Sequence, residues 1–493
     1  MVAMSRSPAT FRPSAIDRAP ARAAGPFGRR ASLQASGQWA RALFATADFG
    51  DSRLQSRAVQ IVETLAAAPN DTIPQACGKW PETKAAYRFI ENRRVSPESI
   101  HEPVGDQAAR ACVGEKVVLA VQDTTTLVFP NAYDTPQLGP VNSTAAKGLL
   151  LHSTLALRED GVAIGLLDQH SWTRAPKVPG SKKKPRINPA KEKESARWLE
   201  SARNAHRRVE TSPAEGERPR LIHVCDREGD IYEMLHGIVV ELGDGAVIRS
   251  KHNRRVDAER GVGGYAHDSI CAEWPLGSFT VEVPRKPGKP AREATVEIRA
   301  QRQTLPAGPS RRGCKDIALT LLEVWEPDPP EGQEALRWLL WTTEPVKTFA
   351  EALRVVEIYK LRWRIEDFHK VLKSGCQIEK VRFHTVERIR KAIALYSPVA
   401  VRILALRDLA RREPEAPATR VLSDLEWRTL HTYIHEKPPA PDAAPPSLRQ
   451  ATLWVGRLGG HIGRKGDGMP GVKTLWRGWR DLELLVHYAS FHS

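Results

Sequence analysis

Residues 116–127 read KVVLAVQDTTTL. Val117 to Val121 form an unbroken apolar run rich in β-branched valine, the mark of a strand buried on both faces. The strand is expected to end at an acid, Asp123. The pattern returns in RLIHVCDREGD, residues 220–230, where a second apolar strand closes on Asp226. A carboxylate at the C-terminal end of a strand stands at the rim of a sheet, where α/β proteins place their sites. Between the two runs, GLLLHSTLALRED and GVAIGLLDQHSW read as further strands joined by a hairpin-like turn at Glu159–Asp160–Gly161. A helix is expected over about 195–208, and IYEMLHGIVVEL continues as helix after the second acid. The fold class is α/β.

Upstream, from Trp39 to about residue 105, apolar residues recur at three and four, and the pattern is helical. Ser96 before Pro97 and Glu98 is an N-cap signal. Arg53, Arg57, Lys84 and Arg88 make this segment basic, as a small DNA-binding module would be. Residues 1–37 carry Ala, Ser, Pro and Arg with one acid, Asp17, a composition expected to remain disordered. Downstream, residues 244–345 read mostly as strands separated by Gly/Pro-rich turns. One long helix is then expected from near Thr348 to Gly375, and a second from about Val386 to Arg411. A Pro-rich break, EKPPAPDAAPPS, precedes two helices around a Gly-rich loop.

With 493 residues the chain has room for three or four domain-sized units. Its 41% hydrophobic and 27% charged residues exclude a wholly disordered, collagen-like or disulfide-scaffold chain. No apolar run approaches the ~20 residues that span a bilayer, so no membrane partner is expected. Lys+Arg number 74 against 58 Asp+Glu, a net charge of +16, which points to a polyanionic partner, nucleic acid before a membrane surface. The six cysteines form no CxxC pair. They fit a reducing cytosol and read as small buried hydrophobes.

The long helix carries the third acid. Tyr359, Arg362, Glu366, Lys370 and Lys373 lie at offsets 0, +3, +7, +11 and +14, which places them along one face of a continuous helix. A solvated mixed-charge stripe is one reading. The other sets an acid among residue types that bind phosphate. Asp123, Asp226 and Glu366 could together supply hard oxygen ligands, which suit Mg²⁺ or Mn²⁺ rather than zinc. Two such ions about 4 Å apart serve phosphoryl transfer.

Several ordered blocks resemble one family. They are AYRFIENRRVS at 86–96, VQDTTTL around Asp123, VCDREGDI around Asp226, RSKH at 249–252, RWLLWTTEPV at 337–346, YKLRWRIEDFHKVLKSG at 359–375, and LGGHIG with LWRGW near the C-terminus. The chain resembles the bacterial DDE transposases of the IS-four group, in their Tn-five-like branch. Tyr359-x2-Arg362-x3-Glu366-x6-Lys373 fits that group's Tyr–Arg–Glu–Lys motif at every spacing.

The resemblance implies a ribonuclease-H-like catalytic core with a β-rich insertion, an N-terminal helical DNA-binding domain and a C-terminal helical dimerisation region. The expected segments are 1–37 (extension), 38–105 (DNA-end binding), 106–243 (core, first part), 244–347 (β insertion), 348–411 (core, second part) and 412–493 (dimerisation). It places the acids on strands one and four and on the late helix. The implied activity is cut-and-paste transposition with two Mg²⁺ or Mn²⁺ ions per site, on transposon end repeats and target double-stranded DNA, by a synaptic homodimer. The setting is the cytoplasm and nucleoid of a bacterium.

The resemblance also assigns roles. Asp123, Asp226 and Glu366 hold the metals through nicking, hairpin formation, hairpin opening and strand transfer. Tyr359, Arg362 and Lys373, with Lys370 assisting, clamp the 5′ phosphate beside the hairpin. Trp338 stacks on a flipped base, the alternative being a core Trp in an apolar strand. Arg249 and Lys251 sit near the same DNA end. The lysine-rich loop 173–194 is either a non-specific DNA contact or a solvated linker. Two other functions stay open: a nuclease of the same fold, and a non-catalytic DNA-binding inhibitor. The complete clamp weighs against the first, and the three carboxylates against the second.

Overall fold

The computed structural model describes residues 36–130, 135, 137–141, 146–174, 194, 196–258, 264–285, 290–307, 314–464 and 467–489. The expected extension, up to residue 35, and residues 175–193 of the lysine-rich loop lie outside them. Five helices come first: α1 (Ser36–Leu43), α2 (Ser52–Ala67), α3 (Ile73–Cys77), α4 (Trp80–Glu91) and α5 (Pro97–Cys112). Next are β1 (Val117–Val128), β2 (Gly139–Pro140), β3 (Lys147–Arg158), β4 (Ala163–Trp172), α6 (Ala196–Glu210), β5 (Arg220–Cys225), α7 (Tyr232–His236) and β6 (Gly245–Arg249). They are followed by β7 (Arg255–Ala258), β8 (Gly264–Tyr265), α8 (Ala266–Ser269), β9 (Gly277–Val283), β10 (Arg292–Leu305), β11 (Ile317–Trp325) and β12 (Arg337–Thr342). The chain continues through α9 (Phe349–Lys360), α10 (Trp363–Lys370), α11 (Val386–Arg412), α12 (Asp424–His435), α13 (Leu448–Leu458) and α14 (Val472–Ala489).

Two compact units divide these elements. One contains Glu194–Leu199 and Leu221–Arg362, and the other holds the earlier helices and strands, Glu200–Arg220 and Trp363–Ser493. In the first unit β5 and β6 pair in parallel, Cys225 opposite Ile248. β12 joins β6 antiparallel, and β11 and β10 follow. The segment GAVIRSK is thus the parallel neighbour of β5, and not a strand of the insertion, as its apolar pattern suggests. A buried parallel strand and an insertion strand share that pattern.

In the second unit β1 pairs antiparallel with β3 from Val118 to Val128, and β3 returns as β4 through the tight turn at Gly161. Asp123 is therefore not at a strand end. It sits in mid-strand opposite Ser153. The three β-branched threonines after it continue the ladder, and the strand stops only before Phe129 and Pro130. Asp226 follows directly on β5, its carboxylate capping a one-turn 3₁₀ helix.

Helices α5 and α11 cover β4. Gly165 permits the first contact, because a Cβ there would stand 2.5 Å from Ala108. In the N-terminal helices Phe89 is buried and meets Phe49 edge-on at 5.6 Å, a burial contributing about 1.5–3 kcal/mol. The C-terminal helices pack around Trp427, Leu430, Val455, Leu475 and Leu482. Helix α12 is not among the helices expected from the sequence, although Ser423 and Glu426 form a capping box at its start. Of the cysteines, Cys112, Cys225 and Cys376 are buried, but Cys77 and Cys314 are partly exposed and Cys271 is exposed. The expectation of six buried thiols is corrected. No helix among the described residues is long and apolar enough to cross a membrane.

Candidate active site

The expected long helix is two helices. The α9 ladder turns over at Leu361 and Arg362, whose N–H groups bond the carbonyls of Ile358 and Tyr359 three residues back. After α10 the chain widens into a π-turn, Val371–Gly375, closed by the Cys376 N–H on the Val371 carbonyl at 2.8 Å. Such turns are frequent at functional sites. The single stripe expected from Tyr359 to Lys373 is therefore broken, with Tyr359 and Arg362 in one unit and Glu366, Lys370 and Lys373 in the other. Spacing alone does not reveal the break, since every residue across it is compatible with helix.

In the first unit Tyr359 is next to last in α9 and shares a hydrogen bond with the guanidinium of Arg249, at the end of β6. Burial raises the Tyr359 hydroxyl above the usual phenol range. The Asp226 charge adds to this, while Arg249 and Arg362 oppose it. The phenol is thus neutral near pH 7 and keeps its proton to donate. Burial likewise lowers Arg249, and the charges of Arg227 and Arg362 push the same way. Arg227, Arg362 and the Tyr359 phenol are thus gathered around Arg249, and Tyr359 also feels the charge of Asp226. An anion among them would relieve their mutual repulsion.

The backbone beyond Arg249 is tied down by Asp230, to which sequence pattern assigns no role. Its buried carboxylate accepts from the N–H of Lys251 at 2.6 Å and of His252 at 2.9 Å, and pairs with Arg254 at 2.7 Å. Trp338 lies opposite Val324 on β12, two residues before Leu340, which faces Arg249 across the ladder. Cross-strand partners share a face and residues alternate, so Trp338 and Arg249 lie on the same side of the sheet. Trp338 is only partly buried, whereas Trp341 is fully enclosed.

In the second unit α10 packs on β1. His369, one turn beyond Glu366, brings Nδ1 to 3.8 Å from the Asp123 carboxylate. Burial drives His369 down to about 3, with Lys373 and His152 adding to the shift, so the ring is neutral at pH 7 and the approach is no ion pair. Lys373 is lowered by burial against the opposing charges of Glu379 and Asp123. Glu379 also accepts from the Val128 N–H at 2.8 Å. This unit thus brings Asp123, Lys373 and Glu366's helix together. Lys370 is exposed.

The three acids are distributed, two in one unit and Asp226 in the other. Among the described residues no three His, Cys, Asp or Glu side chains are grouped so as to hold a metal ion by themselves. The donor chemistry of the three acids nevertheless suits a hard divalent cation, since all are carboxylates. Of the N-terminal candidates, Arg53 pairs with Asp51 at 3.0 Å and Arg57 with Glu82 at 3.2 Å. Lys84 and Arg88 are exposed one turn apart on α4, and Lys251 is exposed.

Comparison with protein families adds three matches. The family described as transposase DNA-binding matches residues 36–95, the transposase DDE domain matches 246–399, and the transposase Tn5 dimerisation domain matches 398–493. The chain belongs to the Tn5-like DDE transposases. The DDE domain implies a ribonuclease-H-like core and use of a divalent metal. This transposase carries a DNA-binding region and a dimerisation region, and its partners are DNA and a second copy of itself. The DDE match includes Glu366 and the Tyr359–Lys373 segment, and starts downstream of Asp123 and Asp226.

Proposed function

We propose that this transposase, of the IS-four group with its Tyr–Arg–Glu–Lys motif, moves DNA by cutting and pasting. It binds transposon end repeats, cleaves both strands through a hairpin, and joins 3′ ends to target DNA in the bacterial cytoplasm. Its working parts are the expected segments from residue 38 onward, with the β insertion beginning after β6. The observation that carries the reading is the cluster of Arg227, Arg362 and the neutral Tyr359 hydroxyl around Arg249, with Tyr359 within reach of the Asp226 charge. Hydrolysis alone does not call for so many phosphate-binding groups in one place.

In this reading Asp123, Asp226 and Glu366 would hold two Mg²⁺ or Mn²⁺ ions, which would supply the charge that activates the attacking oxygen and stabilises the leaving one. Tyr359 donates its hydroxyl proton to a 5′ phosphate oxygen, while Arg362 and Lys373 neutralise the phosphate, with Lys370 at the edge. The lowered affinity of Lys373 for its proton makes a phosphate a better neighbour for it than an empty site. Trp338 receives the base displaced from the bend, and stacking offsets roughly 1–3 kcal/mol of unstacking. Arg249, Lys251, Arg53, Arg57, Lys84 and Arg88 contact DNA.

The test uses purified protein and linear DNA bearing the gene's flanking ends, with Mg²⁺ or EDTA, on a denaturing gel. Mg²⁺-dependent nicks at both ends followed by hairpin-sized products are expected. Asp226→Ala is expected to abolish cleavage and leave end binding intact. Trp338→Ala is expected to stop after nicking. Cleavage scattered along the DNA would make the protein a nuclease, and binding without cleavage an inhibitor.

A further inference from the structure

A polar pocket of about 450 Å³ opens in the second unit, and none of the three acids lines it. Its wall comes from three places in the chain: the α2–α3 loop at Asn70 and Asp71, the end of the π-turn at Ser374 and Gln377, and α14 at Lys473, Arg477 and Arg480. The wall is built and not incidental. With its amide set to satisfy both ends, Asn70 donates to the Gly375 carbonyl at 2.6 Å and accepts from the Trp476 Nε1–H at 2.8 Å. Trp476 is buried with its ring against Gly375, where a Cβ would come within 2.8 Å. It is not exposed for a base to stack upon.

Lys473 and Arg477 are exposed one turn apart on α14. Like charges at this spacing repel and cost helix stability. Neither has an acidic partner among the described residues. Arg480 is held by Asp481 at 2.8 Å. The one carboxylate in the wall, Asp71, forms no ion pair with them. Two uncompensated cations, side-chain amides and the Ser374 hydroxyl make a site for a tetrahedral oxyanion, not for a base.

We propose that this pocket takes a phosphodiester of the DNA backbone, with Lys473 and Arg477 as its ligands. The pocket's position favours DNA over a free anion. It adjoins the DNA-binding region, which includes Asn70 and Asp71, and Ser374 directly follows Lys373. The proposal rests on DNA as the partner and is independent of the hairpin chemistry.

Binding of full-length protein in EDTA is measured by fluorescence anisotropy across a salt series, with one duplex carrying the flanking ends and one unrelated duplex. Lys473→Ala/Arg477→Ala is expected to weaken both duplexes about tenfold and to flatten the slope of log affinity against log salt by about 1–2, as loss of phosphate contacts requires. The charge-keeping Lys473→Arg/Arg477→Lys is expected to restore both. Unchanged affinity and slope in the alanine variant would overturn the proposal, as would a loss confined to the end-bearing duplex. Stabilisation of the wild type by inorganic phosphate, absent in the alanine variant while its DNA affinity stays intact, would assign the pocket to a free anion instead. Failure of the wild type to bind either duplex would count against DNA binding itself.

Discussion

Asp230 shows how one residue can organise a site without touching its chemistry. Two backbone N–H groups and the Arg254 guanidinium converge on its buried carboxylate. Asp230→Ala leaves all three without their acceptor, so a loss of about 3 kcal/mol and a lower melting temperature are expected in calorimetry. Because Arg249 and Lys251 lie on the segment it secures, DNA affinity is expected to fall with it. Asp226→Ala, by contrast, removes only one hydrogen bond, to the exposed Glu228 N–H, and its melting temperature is expected to stay near the wild type. Comparing the two variants separates a positioning carboxylate from one proposed to hold a metal. Both acids stand in one block of sequence, VCDREGDI. Only the strand-end acid is marked there, because partners 21–24 positions away leave no local signal.

At the scale of elements, the α13–α14 crossing depends on two glycines. A Cβ at Gly478 would stand 1.7 Å from the Val455 carbonyl, and one at Gly459 would stand 1.9 Å from that of Thr474. Gly478→Ala must therefore push the helices apart. A loss of about 2–4 kcal/mol is expected, read as an earlier denaturant midpoint, together with weaker self-association. Nearby, Glu483 on α14 is partly buried against Glu426. Burial first, then the charge and hydrogen bond of Glu426, raise it from 4.5 to about 8, against the opposing effects of Arg402 and Trp479. The folded state thus favours the protonated acid. Its stabilisation is complete below pH 4.5 and is lost as pH rises through about 8. Glu483→Gln keeps the shape without the charge. It is expected to stabilise the protein by about 2 kcal/mol near pH 8 and by almost nothing near pH 5, checked by thermal melts across that range.

For the whole molecule the surplus charge of +16 governs how it meets DNA. Binding that neutralises many phosphates releases as many counterions. Affinity for any duplex is expected to fall about 10³-fold or more between 50 and 200 mM salt, and a flat dependence would contradict a charge-driven interface. Some surface cations must first give up an acidic neighbour to meet DNA. Arg53 and Arg57 face Asp51 and Glu82, whereas Lys84, Arg88, Lys473 and Arg477 are exposed with no such partner among the described residues. Net charge therefore overstates the interface, and the salt slope measures the part that is used.

The sequence by itself determined most of the segments that are helix or strand, though not α12, that three carboxylates and a run of phosphate-binding residue types belong to one chain, and that the partner is a polyanion. These are local or additive properties: apolar period, residue type, summed charge. Tertiary structure decided where the elements stop and what meets across them. Asp123 stands in mid-strand because β3 pairs past it. The helix of Tyr359 and Glu366 breaks at Leu361–Arg362 although no proline or glycine marks the spot. GAVIRSK became the parallel partner of β5, and Asn70 met Trp476 across hundreds of residues. Such outcomes depend on long-range pairing and packing, whose free energy outweighs the weak local preferences that a sequence displays.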